Sequence, residues 1–148
     1  MRSKPTAKQK AATTQKSGRL IKLKEVKLTK REPGQCCVSV QLICKRKTIV
    51  GERTGPDEPD YQVMLAALST IDALQKATDE RLKMDLLFIE RQKLEKIDRE
   101  IIMVLIDVNV NDEARAATGA CQVRGELIET AARAVLDATN RIVELYFE

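Results

Sequence analysis

The chain contains no histidine and no tryptophan, and only two phenylalanines and two tyrosines among its 148 residues. Without histidine, every nucleophile, metal site and proton relay that depends on an imidazole is excluded. With so few aromatic side chains, the chain is also poorly equipped to stack on the bases of a single-stranded nucleic acid. The sequence carries no phosphate-loop, metal-binding or cofactor-binding motif. The composition therefore disfavours an enzyme, and we expect neither catalytic residues nor a cofactor.

Long apolar runs are also lacking. The longest nearly apolar segment covers residues 101–106, far short of the roughly 18 residues that a membrane-spanning helix needs. The basic N-terminus is not followed by an apolar stretch, so the sequence predicts no signal peptide. We therefore expect no membrane partner.

The four cysteines lack the spacing of zinc or redox sites. Cys36 and Cys37 are adjacent, Cys44 follows in the same segment and Cys121 is distant, so no C-x-x-C pair exists. Cys44 and Cys121 sit inside apolar segments, which favours small buried side chains over metal ligands. Free thiols without a secretory signal are typical of a reducing compartment, so we predict a cytoplasmic location.

Positive charge is concentrated at the N-terminus. Residues 1–32 contain eleven lysines and arginines and two glutamates, a net charge of +9, whereas the rest of the chain carries −5. Residues 1–18 have no acidic residue and no apolar periodicity, so we predict a flexible basic tail there. Such a tail is either a solubilising terminus or an arm that seeks an acidic protein or a nucleic acid.

Residues 19–148 divide into two halves with similar sequence patterns. Val38, Val40 and Leu42 alternate with polar residues, which is the two-residue period of a half-buried strand. Ile102 and Val104 repeat this spacing 64 residues later. Further strands are predicted from residues 19 and 81, over residues 48–53 after a Lys/Arg-rich turn, and over residues 113–122 after an Asn/Asp turn.

Each half is predicted to end in a helix. Residues 57–60 provide an acidic, proline-containing helix start. The buried stripe of the first helix is predicted at Met64, Ala67, Leu68, Ile71 and Leu74. The stripe of the second helix is predicted at Ile128, Ala131, Ala132, Val135, Leu136, Ile142, Val143 and Tyr146. The sequence thus predicts two tandem βββα repeats, residues 19–78 and 81–148, in a two-layer α+β fold.

The predicted strand at residues 101–108 is apolar on both faces, because Ile101, Met103 and Leu105 lie between the residues of the inner face. In the next strand, the small side chains of one face predict that another element packs closely against it; they are Ala114, Ala116, Thr118 and Ala120. Helices on one side of a sheet leave its other side exposed, so we predict a homodimer.

The segment at residues 126–141 resembles the last helix of the C-terminal regulatory domain of α-isopropylmalate and citramalate synthases. In that family an acidic residue, two branched aliphatic residues, Glu-Ala-Ser and then Ala-x-x-x-Ala-x-Asn occupy the corresponding places, and the domain has two βββα repeats. Gly55-Pro56 is similar to the Gly-Pro that precedes the family's first helix. The chain departs from the family at residues 57–60, which are additional, and at Thr130-Ala131, which replaces Ala-Ser.

The resemblance implies a dimerising fold that binds a small amino-acid-like effector. Acyl transfer is not implied, because the family's catalytic barrel alone needs about 250 residues. Helix N-termini present free N–H groups to a carboxylate, so the predicted effector-binding residues are Gly55, Gly125 and Ile128. Glu126 and Asp57 oppose this assignment, because they place negative charge at the same helix ends.

We therefore predict a non-enzymatic dimeric regulatory or interaction module that binds a protein partner or a small effector. Asp72 and Asp137 occupy equivalent repeat positions, but their helical spacing places them on the polar margin rather than in a catalytic pair. The alternative is a nucleic-acid-binding protein that uses the basic N-terminal arm, residues 1–32. Contacts with an anionic partner are predicted at Lys22, Lys24, Lys27, Lys45, Arg46 and Lys47.

Overall fold

The computed structural model describes residues 20–147, which form two units with the same order of three antiparallel strands and a helix. The first unit contains β1 (Ile21–Lys30), β2 (Gln35–Cys44), β3 (Lys47–Pro56) and α1 (Pro59–Ala77). The second contains β4 (Lys83–Leu94), β5 (Arg99–Val110), β6 (Glu113–Gln122) and α2 (Leu127–Glu144), with short 3-10 turns at Glu95–Ile97 and Leu145–Phe147. The predicted α+β fold of tandem βββα repeats is confirmed. The tail predicted at residues 1–18 lies outside the described residues.

The middle strand of each sheet carries the core. In β2 the inner side chains of Val38, Val40 and Leu42 are fully buried, while Ser39 and Gln41 between them face outward. The inner face of β5 is buried in the same way, at Ile102, Val104, Ile106 and Val108. Alternation at the two-residue period therefore identified both strands and the faces they bury. β3 runs to Pro56, three residues beyond the end predicted for it.

The first strand of each unit contains a β-bulge at the equivalent position. The pairing register shifts between Leu23 and Glu25 in β1, and between Leu86 and Phe88 in β4. One extra residue reverses the side-chain alternation, so Leu87 is left in solvent, with 56% of its surface exposed. Both bulged strands lie at a sheet edge, where an interrupted ladder discourages pairing with another chain.

Each helix lies directly on a glycine of the third strand of its own sheet. A Cβ atom added to Gly51 would lie 2.0 Å from the carbonyl oxygen of Ser69, and one added to Gly119 would lie 2.5 Å from that of Ala134. No side chain larger than hydrogen fits at either position, because real Cβ atoms do not approach so closely. The two contacts occupy equivalent places in the repeat.

The two helices pack against each other, and each also contacts the first strand of the other unit, α1 with β4 and α2 with β1. Helix α1 is therefore buried around more of its circumference than one amphipathic stripe. Ser69 and Thr70 are fully buried, and the Ser69 hydroxyl donates to the Val38 carbonyl at 2.8 Å. Met64 and Leu68, which were predicted to be buried, are only half-buried. Helical spacing alone could not show that the helix is covered from two directions.

The outer faces of the two sheets differ. In the first sheet, residues of the outer face such as Ser39 and Gln41 are polar. In the second sheet Met103 and Leu105 are half-buried on the outer face, beside the exposed side chain of Phe88. The small residues predicted to pack closely also lie on this outer face and are exposed, at Ala114, Ala116, Thr118 and Ala120. No element of residues 20–147 packs closely on them, because helix α2 approaches the opposite face, at Gly119.

All four cysteines are free thiols. Cys36, Cys37 and Cys44 are buried, as predicted for Cys44, and Cys121 is half-buried. Burial raises the pKa of Cys44 to about 11, so this thiol stays protonated at neutral pH. Between residues 20 and 147, no helix combines the length and the apolar character that crossing a bilayer requires.

Candidate functional site

The two units differ in the group that pairs with the aspartate on the helix. In the first unit Arg53, two residues after Gly51, reaches over to Asp72 on α1. Its Nε and Nη2 atoms donate to the two carboxylate oxygens at 2.7 Å and 2.9 Å. The hydrogen bond to Asp72 raises the pKa of Arg53. This two-point ion pair joins the edge of the first sheet to its helix.

In the second unit the residue two positions after Gly119 is Cys121, so the arginine is missing. Asp137 on α2 corresponds to Asp72, and its Oδ2 atom instead accepts a hydrogen bond from the backbone N–H of Ala120 at 3.0 Å. Within residues 20–147, no lysine or arginine lies within ion-pair distance of Asp137. The side chain of Asp137 is exposed. An acceptor that is closed off in the first unit is therefore accessible in the second.

A cavity of about 380 Å³ opens beside Asp137. Helix α2 contributes Arg133, Leu136, Asp137 and Asn140, edge strand β6 contributes Ala120 and Cys121, and β1 contributes Ile21, Lys22 and Leu23. A volume in this range is typical of sites for small molecules. The walls from β1 and α2 belong to different units, so the cavity exists only because the two units pack together.

The cavity continues toward the start of α2. A second depression of about 480 Å³ shares Ala120, Cys121 and Arg133 with the first, and is completed by Gln122, Arg124, Gly125, Glu129 and Thr130. We call the two depressions together the α2 groove. Arg133 stands between them, and its Nε atom donates to Glu129 at 3.2 Å. The groove therefore has a carboxylate at Asp137 and a cationic side chain at Arg133 on the α2 wall, and a second cationic side chain at Lys22 on the β1 wall.

Two further groups give the groove its chemistry. Burial raises the pKa of Cys121, while the positive charge of Arg133 acts in the opposite direction. The thiol is therefore neutral at physiological pH and acts as a small polarizable wall rather than as a nucleophile. Asn140 is 5% exposed and provides a polar side chain at the floor of the groove. Within the described chain, no cluster of three or more histidine, cysteine or acidic side chains is arranged to hold a metal ion.

The three predicted effector-binding residues do not form one site. Gly125 lines the α2 groove. Ile128, three residues later, points into the core and is only 7% exposed. Gly55 belongs to β3, where an added Cβ would lie 3.0 Å from the side chain of Leu65 on α1. Of the three, the structure places only Gly125 in the groove, because the first turn of a helix distributes its residues over different faces.

The residues predicted to contact an anionic partner come together in part. Lys22, Lys45 and Arg46 line one shallow depression with Leu20 and Ile43. Lys24, Lys27 and Lys47 are exposed on β1 and β3 but do not line it. Lys22 lies at the boundary between this depression and the α2 groove, since it lines both.

Sequence reasoning missed Arg133 and Asn140 as lining residues, and it placed Asp137 on the polar margin without a role. The available signal was the repeat itself. Aligning Gly51 with Gly119 sets Arg53 opposite Cys121 and shows that one unit lacks the partner of its helical aspartate. The absence of an arginine at the position equivalent to Arg53 identifies Asp137 as an open acceptor more directly than its residue type does.

The chain matches none of the known protein-family models. A comparison with curated proteins gives no significant match.

Proposed function

We propose that this chain is a non-enzymatic cytoplasmic regulatory module that binds a small amino-acid-like effector in the α2 groove and works as a homodimer. The observation that carries the proposal is the opening beside Asp137, at the position where the first unit is closed by Arg53. The resemblance of residues 126–141 to the regulatory domain of α-isopropylmalate and citramalate synthases supports the same class of effector.

The groove offers a partner to each part of a zwitterion. An ammonium group pairs with the Asp137 carboxylate, and a carboxylate group pairs with Lys22 or Arg133. The apolar side chains of Ile21, Leu23 and Leu136 remain for an aliphatic body. Because one wall comes from β1 of the first unit, a bound effector would hold the two units together. Binding would therefore stabilise the folded chain and could change its assembly.

The outer face of the second sheet supports the homodimer. Met103 and Leu105 form its centre, and Leu87 and Phe88 stand exposed beside them at the bulge of β4. Contiguous apolar surface of this kind is unfavourable in water and favourable in an interface. A twofold contact would use the same patch on both copies.

Thermal unfolding of the full chain with individual amino acids, and with the keto acids that lack the amine, tests the effector site. We expect at least one aliphatic amino acid to raise Tm by roughly 5–10 °C at about a hundred times its Kd. The matching keto acid should raise Tm less, because it offers nothing to Asp137.

The variant Asp137→Asn keeps the acceptor for Ala120 but removes the charge, so it should lose the response to the amino acid. The matched control Asp112→Asn removes an exposed carboxylate in the turn between β5 and β6 and should respond like the parent. A Tm that no amino acid or keto acid changes, or an Asp137→Asn variant that responds like the parent, would contradict the proposal.

A further inference from the structure

We infer that the end of the first sheet formed by Lys22, Lys45 and Arg46 is a docking site for the phosphate backbone of a nucleic acid. This inference does not rest on the effector site or on the dimer. Its basis is a depression of about 250 Å³ lined by these three cationic side chains together with Leu20 and Ile43. No carboxylate from residues 20–147 lines it.

Charge separates this end from the rest of the molecule. The first sheet and its turns, residues 20–56, contain nine lysines and arginines and three acidic residues, a net charge of +6. The second sheet, residues 83–122, contains six lysines and arginines and eight acidic residues, a net charge of −2. Other cations are paired with acids, including Lys30 with Asp57 and Arg53 with Asp72 in the first unit and Arg91 with Glu100 in the second. Lys22 and Arg46 have no ion-pair partner among residues 20–147.

The backbone of the turn gives a second and independent observation. Lys45 and Arg46 both have positive φ, 49° and 72°, a conformation that favours glycine and asparagine. The equivalent turn of the second unit has the same form, with φ of 53° and 66°, and it is made by Asn111 and Asp112. The first unit thus keeps two cations where the turn itself favours other residues.

The start of β1 is held beside this turn. The backbone N–H of Lys45 donates to the carbonyl oxygen of Leu20 at 3.4 Å. Residues 1–19, which precede Leu20 in the chain, add six lysines and arginines and no acidic residue. The three cations of the folded cluster displace counterions from a polyphosphate chain, and the sequence that precedes Leu20 has the same sign of charge.

The composition of the surface selects the class of partner. A protein interface is anchored by large apolar or aromatic side chains, and a bilayer surface takes up apolar side chains. The two apolar residues that line the depression, Leu20 and Ile43, are half-buried, and none of the six large apolar side chains exposed in the described chain lines it. A phosphate backbone needs no such anchor, since cations and the planar donors of an arginine bind it directly. Sequence-independent binding with a steep dependence on salt is the expected behaviour.

Fluorescence anisotropy of a labelled duplex DNA with the full chain, over a series of salt concentrations, tests this inference. The test variant is Lys45→Asn/Arg46→Gly, which leaves Lys22 in the α2 groove untouched. It installs the residues that the turn favours, so it should fold with a Tm at or above that of the parent. We expect its affinity for the duplex to fall at least about tenfold at low salt, and its log–log salt slope to decrease by about 2.

The matched control is Lys93→Gln/Lys96→Gln, which removes the same charge from exposed positions of the second unit. Its affinity should change less than about threefold, since these lysines lie outside the cluster. No binding of the full chain at low salt would overturn the inference, and so would an equal loss in the control. Binding to vesicles of anionic phospholipid but not to the duplex, with the cluster variant losing it, would overturn it in favour of a membrane surface.

Discussion

The two units place a carboxylate at the same position of their helices, Asp72 in α1 and Asp137 in α2, yet they satisfy it differently. In the first unit a guanidinium from β3 covers it. In the second, a backbone N–H from β6 is the only donor from residues 20–147 that reaches it, and a cavity lies alongside. The helix–strand contacts at Gly51 and Gly119 are nevertheless the same in kind. The two units share the packing of helix on strand, while the surfaces beside it differ.

The outer faces of the sheets follow the same division. Ser39 and Gln41 on β2 correspond to Met103 and Leu105 on β5, so a polar face in one unit is an apolar face in the other. The basic end belongs to the first sheet and the apolar face to the second. A duplicated fold can therefore present two different surfaces without any change in its core.

The largest expected effect tests the shared part of the comparison. Gly51→Ala and Gly119→Ala should each lower the free energy of unfolding by more than about 3 kcal/mol, because a Cβ atom cannot fit beneath the helix. Urea denaturation measures the loss. The control Gly125→Ala meets no atom within 4 Å and should change it by less than about 0.5 kcal/mol. A tolerated Gly119→Ala would mean that α2 stands farther from its sheet than α1.

An intermediate effect tests the divergence of the outer faces. If the apolar face of the second sheet holds the homodimer, Met103→Lys/Leu105→Lys should weaken the dimer at least about a hundredfold, since it places charge at the centre of the interface. The equivalent pair in the first sheet, Ser39→Lys/Gln41→Lys, should leave association unchanged. Sedimentation velocity distinguishes the species. A parent chain that sediments as a 16.6 kDa monomer at micromolar concentration would contradict the dimer.

The smallest expected change in stability comes from making the second unit like the first. Cys121→Arg supplies the counterpart of Arg53 and should pair with Asp137, changing the free energy of unfolding by no more than about 1 kcal/mol because the pair is exposed. It should nevertheless abolish the response of Tm to an amino acid, because the guanidinium occupies the groove. Arg53→Gln should cost about 0.5–1 kcal/mol and keep the response. A Cys121→Arg variant that still responds would place the effector elsewhere.

The sequence predicted those elements whose residue pattern depends on contact with a single neighbouring element. The alternation in β2 and β5 reports on the core beneath it, and the proline at the start of α1 reports on the helix terminus. Met64 and Leu68 were assigned to the core wrongly, and the buried Ser69 and Thr70 were missed, because the face that α1 buries is determined by α2 and β4 as well as by its own sheet. Burial from several directions depends on how the units pack, and a helical period contains no information about that.

The candidate site was predictable in part. Gly125 was predicted to bind an effector and lines the α2 groove, whereas Gly55 and Ile128, predicted with it, do not. Lys22 also lines the groove but was predicted to contact an anionic partner. The groove is made by strands from different units, so its walls are remote in sequence. From sequence alone, the groove is indicated only by a comparison of the repeats, in which Cys121 aligns with Arg53.

The exchange of contacts between the units, α1 with β4 and α2 with β1, also bears on how the chain folds. A solitary βββα module would leave one side of its helix without a cover. For the present chain the exchange couples the halves, so neither half retains its complete core when the other melts, and a single cooperative unfolding transition follows.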